Sequence, residues 1–263
     1  MSEKKAILTV SFGTSHLDTP EKTIGAIERR IAQAFPDYRV ARAFTSQMII
    51  NKLKRTEDLA VDNVKEALGR LAQEGVERVI VQPTHIINGI ENDRMMEDIM
   101  EYMDRFQKIK VGKPVLSSVD DYKKAIHAVM AEVDVAEDEM LVLMGHGTEH
   151  HANSAYPTLE YTFHALGYQQ VLVGTVESFP ELKNVMTKLR ISGKKKVLLM
   201  PFMIVAGDHA RNDMASDDPD SWRCQFEKAG FAVSSVLKGL GEYPGIRRLF
   251  IRHVKDAIAL QTL

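Results

Sequence analysis

The chain has a single cysteine, Cys224, among its 263 residues. That excludes an intrachain disulfide and any metal or iron–sulfur site built from several cysteines. Its setting, SWRCQFEKAG, reads as an amphipathic helix in which the thiol packs. Neither sign of charge is in excess: 34 basic residues face 36 acidic ones, for a formal net charge of -2. Such a balance leaves no basic footprint for nucleic acid and no strong pull toward anionic membranes, so small partners are expected. There is no long hydrophobic run either. The N-terminal MSEKKAILTVSFG has only about seven apolar-leaning residues before Gly13, too few for a signal peptide or a membrane span, and the reading is cytoplasmic. Low-complexity tracts are absent, and 44% hydrophobic with 27% charged residues is the composition of a globular protein. The length suits one large domain or two ordinary ones.

What is present is an alternation. Short apolar, β-branched runs recur between longer segments of helical period, the pattern of parallel strands joined by crossover helices, so the fold class is α/β. The first half predicts strands at 6–12, 38–44, 78–83 and 109–115, with helices near 20–35, 46–54, 60–74, 91–106 and 120–133. The second half predicts strands at 140–145, 170–175, 196–201 and 231–237, with helices near 152–166, 180–192, 213–229 and 244–260.

The two halves also match in detail. SFGTSH (11–16) follows the first strand as GHGTEHH (145–151) follows the fifth. VIVQPTHIINGIENDRM (79–95) sets against VLLMPFMIVAGDHARNDM (197–214), with Pro83 on Pro201, Gly89 on Gly207 and Glu91 opposite His209. Two matches in the same order argue for duplication. Two lobes are therefore expected, 1–133 and 134–263, with the junction around 112–138. Similar lobes facing one another leave a cleft, and sites in open α/β sheets gather beyond the carboxyl ends of the strands.

Three residues of the second half fall at such ends. His146 follows MLVLMG between Gly145 and Gly147, which leave its imidazole uncrowded and let the backbone turn or approach a ligand. Taken by itself it reads as a turn histidine. Glu177 closes the next strand in VLVGTVESFPE, where Pro180 is expected to open the following helix. His209 follows the third strand in MPFMIVAGDHARNDM. Neighbouring strands about 4.8 Å apart bring such side chains around one point. Two imidazoles and a carboxylate suit a borderline divalent ion, cobalt, nickel, iron or zinc, and leave coordination positions open for exchange or catalysis. A neutral imidazole also accepts protons.

Asp208, Asn212 and Asp213 read as cap and turn residues rather than as partners that orient the rings. His150 and His151 read as polar surface at a helix start, with uptake of a metal as the functional alternative. His85, near Glu91, reads equally as a hydrogen-bonded rim residue and as a substrate contact. Met95, Met96, Met100 and Met103 read as gap-fillers, while Met200 and Met203 lie near the proposed site.

The segments SFGTS (11–15), RAFTSQMIINKL (42–53), HIINGIE (85–91), MGHG (144–147), VESFPE (176–181), PFMIVAGDHARNDMASDDPDSW (201–222) and GLGEYP (239–244) carry a resemblance across nearly the whole chain. It resembles the anaerobic cobalt chelatases of cobalamin biosynthesis, sirohydrochlorin cobaltochelatases, a class II chelatase family related to ferrochelatase. The resemblance implies two flavodoxin-like lobes with parallel sheets related by duplication, the active site in the cleft between them, and a C-terminal helix (about 244–263) packing back on the first lobe. It implies that His146, Glu177 and His209 bind the metal and that His146 accepts protons. The implied activity is ATP-independent insertion of Co2+ into sirohydrochlorin with release of two protons. Phe12, Gly13 and Thr14 in SFGTSH, with His85 and Glu91 in HIINGIE, are then expected to contact the tetrapyrrole. Fe2+ or Ni2+ as the ion, and a non-catalytic metal or tetrapyrrole carrier, are the competing readings. No nucleic acid or membrane is expected as a partner, and a homo-oligomer is left open.

Overall fold

The computed structural model describes residues 3–15 and 21–260; His16 of SFGTSH and Pro20 of the first predicted helix lie outside them. The chain divides into two compact units, one made of residues 1–117 and 246–263, the other of residues 118–245.

The first unit holds four parallel strands, β1 (Lys5–Ser11), β2 (Arg39–Phe44), β3 (Arg78–Pro83) and β4 (Lys108–Val111), in the order β2-β1-β3-β4. Its helices are α1 (Ile24–Ala34), α2 (Gln47–Glu57), α3 (Val64–Gln73), α4 (Ile90–Met100) and, from the far end of the chain, α9 (Pro244–Ala259). The second unit holds α5 (Val119–Met130), β5 (Glu139–Gly145), α6 (Ala155–Ala165), β6 (Val171–Thr175), α7 (Leu182–Ser192), β7 (Lys196–Pro201), α8 (Trp222–Lys228) and β8 (Ala232–Ser235). Its sheet is again parallel, ordered β6-β5-β7-β8. Parallel strands covered on both faces need apolar residues at successive positions, and β1, β5 and β7 are buried along almost their whole length. Among the described residues no helix is long and apolar enough to cross a membrane.

Matching backbone hydrogen bonds show how closely the units repeat. Thr84 N–H donates to Val10 C=O, as Phe202 N–H does to Met144 C=O, both at 2.8 Å. Ser46 N–H donates to Phe12 C=O, and Glu177 N–H to His146 C=O. Val115 N–H reaches His85 C=O as Leu240 N–H reaches Met203 C=O, and Asp93 N–H reaches Gly89 C=O as Arg211 N–H reaches Gly207 C=O. Gly13 and Gly147 both take positive φ, +102° and +87°. The positions equivalent to His146, Glu177 and His209 are therefore Phe12, Ser46 and Glu91.

Two predicted helices differ from those observed. The helix expected at 213–229 is broken: a π-helical turn spans Ala210–Met214, and α8 begins only at Trp222. Between them Ser216 and Asp218 accept backbone N–H groups of Asp218 and Asp220, and Pro219 has no N–H to give, so the backbone follows local side-chain bonds instead of a helix. Pro180 does not open α7; it follows Phe179 through a cis peptide bond, and the helix starts at Leu182 after a capping box between Glu181 and Asn184.

Candidate metal centre

His146 leaves β5 on a turn whose two glycines are required by packing. A Cβ on Gly145 would lie 2.2 Å from the ring of buried Tyr156. One on Gly147 would lie 2.8 Å from Thr175 Cβ, in a backbone conformation that L side chains rarely adopt. The glycines thus seat the turn against its own unit, in addition to the sharp turn or close approach to a ligand expected of them from the sequence. Tyr156 lies against the turn, its hydroxyl facing the N–H groups of Gly147 and His146, and burial pushes its phenol up to about 12.

Glu177 sits in a loop that closes back on the end of β6. Thr175 N–H donates to Pro180 C=O at 2.7 Å, and the Thr175 hydroxyl donates to Ser178 C=O. Two further bonds, from Val176 N–H to Gly145 C=O and from Glu177 N–H to His146 C=O, zip this loop to the His146 turn. Asn153 adds a clip: its Oδ1 accepts from Thr148 N–H at 3.1 Å, and its Nδ2 donates to Phe179 C=O. His209 stands at the start of the π turn, which buried Ala210 and Met214 hold to the core.

These elements bring the three side chains together. One donor atom from each of His146, Glu177 and His209 lies within 4.8 Å of the other two. His146 Nδ1 is 3.3 Å from Glu177 Oε2, and His209 Nε2 is 4.0 Å from Glu177 Oε1. The two rings stand edge to face, centroids 4.6 Å apart and planes at 90°. All three side chains are about a third or more exposed. His146 Nδ1–H donates to Gly147 C=O at 3.0 Å, and His209 Nδ1–H to Asp213 Oδ2 at 2.6 Å. In that tautomer His209 keeps its lone pair on Nε2, the nitrogen toward Glu177, whereas His146 turns Nδ1 toward both Gly147 C=O and Glu177. A ligating imidazole whose other nitrogen donates to a carbonyl or carboxylate is the usual arrangement around a divalent ion.

The chain matches the model of the family described as Cobalt chelatase (CbiK) over residues 5–259. The chain belongs to the cobalt chelatase family. It is 44% identical to the sirohydrochlorin cobaltochelatase of Salmonella typhimurium over 97% of both chains. It is also 33% identical to sirohydrochlorin cobaltochelatase CbiKC of Nitratidesulfovibrio vulgaris, covering 97% of this chain and 91% of that protein. In fold it is similar to SirB from Bacillus subtilis, solved with Fe3+, at a TM-score of 0.67 and 15% identity, covering 97% of this chain and 96% of that one. The expected α/β class, with two parallel sheets, is therefore that of the chelatases.

The remaining candidate residues are described within their own units. In the first unit Phe12 is exposed, Gly13 packs under the Phe44 ring and Thr14 is buried. Glu91 pairs with Arg94 at 3.0 Å. His85 is buried, neither of its ring nitrogens has a hydrogen-bond partner among the described residues, and burial pushes its imidazole down to about 4. In the second unit His150 Nδ1 accepts from Ala152 N–H and caps a 3-10 turn at His151–Ser154. Met200 is fully buried, with the Tyr243 hydroxyl donating to its sulfur, and Met203 packs against the core. Cys224 is half-buried, its thiol toward Ser216 C=O. A cavity of about 450 Å³ between α7 and α8, lined by Leu182, Met186 and Arg190 among others, includes none of the three clustered residues.

Sequence reasoning weighed Asp213 as a partner that orients a ring but read it as a cap or turn residue, and it did not single out Asn153 or Tyr156. Only Asp213 had a visible signal, its spacing of four from His209 on a helical turn.

Proposed function

We propose that this chelatase inserts Co2+ into sirohydrochlorin without ATP, with His146, Glu177 and His209 holding the ion that is transferred. Two imidazole nitrogens and a carboxylate give a borderline divalent ion three donors and leave positions for incoming ring nitrogens. Insertion replaces two N–H protons by one divalent ion, so each step needs a base where the metal departs. A ligand the ion has just released is such a base, since the lone pair that held the metal is free to take a proton. His146 is assigned that task, with Glu177 beside it. Phe12, Gly13, Thr14, His85 and Glu91 are the proposed contacts of the macrocycle, whose peripheral carboxylates suit backbone N–H and hydroxyl donors.

The observation that carries this reading is the convergence of the three donors within 4.8 Å in a chain of the cobalt chelatase family. Incubating the protein with excess sirohydrochlorin and Co2+ while following the absorption spectrum tests it. Many turnovers are expected, and His146→Ala or His209→Ala is expected to abolish them; a shift that stops at one equivalent of protein would make it a carrier. Since this donor set does not by itself separate Co2+ from Fe2+ or Ni2+, initial rates with the three ions complete the comparison.

A further inference from the structure

We infer that Asp213 is the positioning residue of the centre, holding His209 in the tautomer and orientation that present Nε2 to the ion. The inference rests on the metal-binding reading above and adds a residue to it. His209 Nδ1 and Asp213 Oδ2 are 2.6 Å apart, so the ring proton is committed to the carboxylate and the lone pair to Nε2, the nitrogen that faces Glu177 Oε1. Without the carboxylate an exposed imidazole is free to place its proton on either nitrogen, and one of the two choices cannot ligate through Nε2.

The duplication shows how the backbone supplies this partner. In the first unit the equivalent segment is the regular helix α4, and the first buried methionine after Gly89 is Met95, with Met96 exposed. After Gly207 the methionine that fills the same role is Met214, one residue later. The register still agrees at Asp93 and Arg211, which bond to Gly89 and Gly207, so the extra residue enters within the π turn. Widening one turn lets Met214 take the core position and leaves Asp213, the positional equivalent of buried Met95, beside His209 with its side chain 47% exposed. π turns commonly mark functional sites for this reason, because one inserted residue re-aims its neighbours.

The test is Co2+ titration of the full chain without tetrapyrrole, read by the visible absorption of bound Co2+, for wild type, Asp213→Asn, Asp213→Ala, Asp213→Glu and His209→Ala. Loss of the carboxylate is expected to weaken Co2+ binding about 10–100-fold. In turnover it should raise KM for Co2+ while leaving kcat at saturating Co2+ intact, with partial recovery in Asp213→Glu. Nitrogen NMR of the imidazoles should show His209 protonated at Nδ1 in the wild type and a mixture of tautomers in Asp213→Ala, a change that a merely structural role would not produce. Wild-type Co2+ affinity, or an unchanged tautomer, in Asp213→Ala overturns the inference. If His209→Ala itself binds Co2+ like the wild type, the metal-binding reading fails first.

Discussion

Glu177 donates its backbone N–H to the carbonyl of His146 at 2.9 Å, so two residues thirty-one positions apart are joined through the main chain before any ion binds. The same bond links Ser46 to Phe12 in the first unit, where no metal ligands stand at those positions. The bond is therefore part of the repeated frame, and the chemistry comes from the side chains set on it.

The frame at His146 depends on Gly147. Gly147→Ala forces a β-carbon into a left-handed conformation, costing roughly 1–2 kcal/mol, and sets it 2.8 Å from Thr175. Urea melts should show a loss of at least that size, and Co2+ titration a weakened site. A variant as stable as the wild type would mean that the turn relaxes freely.

Asn153 clips the His146 turn to the Glu177 loop. Asn153→Ala removes bonds to Thr148 and Phe179, each worth about 1 kcal/mol net, and should reduce Co2+ affinity about tenfold. The expected pattern is a stability loss of about 2 kcal/mol together with the weakened Co2+ binding; a less stable variant with wild-type Co2+ affinity would mean that the clip does not hold the site.

His85 makes stability depend on acid. Its imidazole titrates near 4 in the fold against an ordinary 6.5, so between those values the unfolded chain binds the extra proton and stability falls as pH drops. The loss approaches roughly 3 kcal/mol at pH 4. His85→Met, which copies the residue at the equivalent position of the second unit, Met203, should flatten that decline and stabilise the protein at pH 5. Chemical denaturation at pH 7, 6, 5 and 4 checks it, and parallel curves for the two proteins would count against the assignment.

Tyr156 acts at the other end of the scale. Its phenol keeps its proton to about 12 in the fold but loses it near 10 when unfolded, so stability is full below pH 10 and falls between 10 and 12. The slope from this residue is about 1.4 kcal/mol per pH unit. Tyr156→Phe should lessen the alkaline loss, measured by melts at pH 9, 10 and 11.

Much of this was legible in the residues themselves. Parallel strands buried on both faces need continuous apolar runs, so MLVLMG and KVLLMP announced β5 and β7, and the paired prolines and glycines revealed the repeat, down to Glu91 opposite His209. Local competition was harder to read: the helix predicted through 213–229 gave way to Ser216, Asp218 and Pro219, whose effect depends on which backbone groups they reach. The amino-acid order by itself determined the alternation of strands and helices, the doubling of the motif and the placing of His146, Glu177 and His209 at strand ends, because those follow from periodicity and from where turns are allowed. Only the tertiary structure decided that the three meet, that Ser46 is the counterpart of Glu177, and that Asp213 rather than Asp208 or Asn212 bonds to His209 Nδ1. Those are distances between groups remote in the chain or turned by one inserted residue, and they exist only once the sheet has set its register and the core has chosen which methionine to bury.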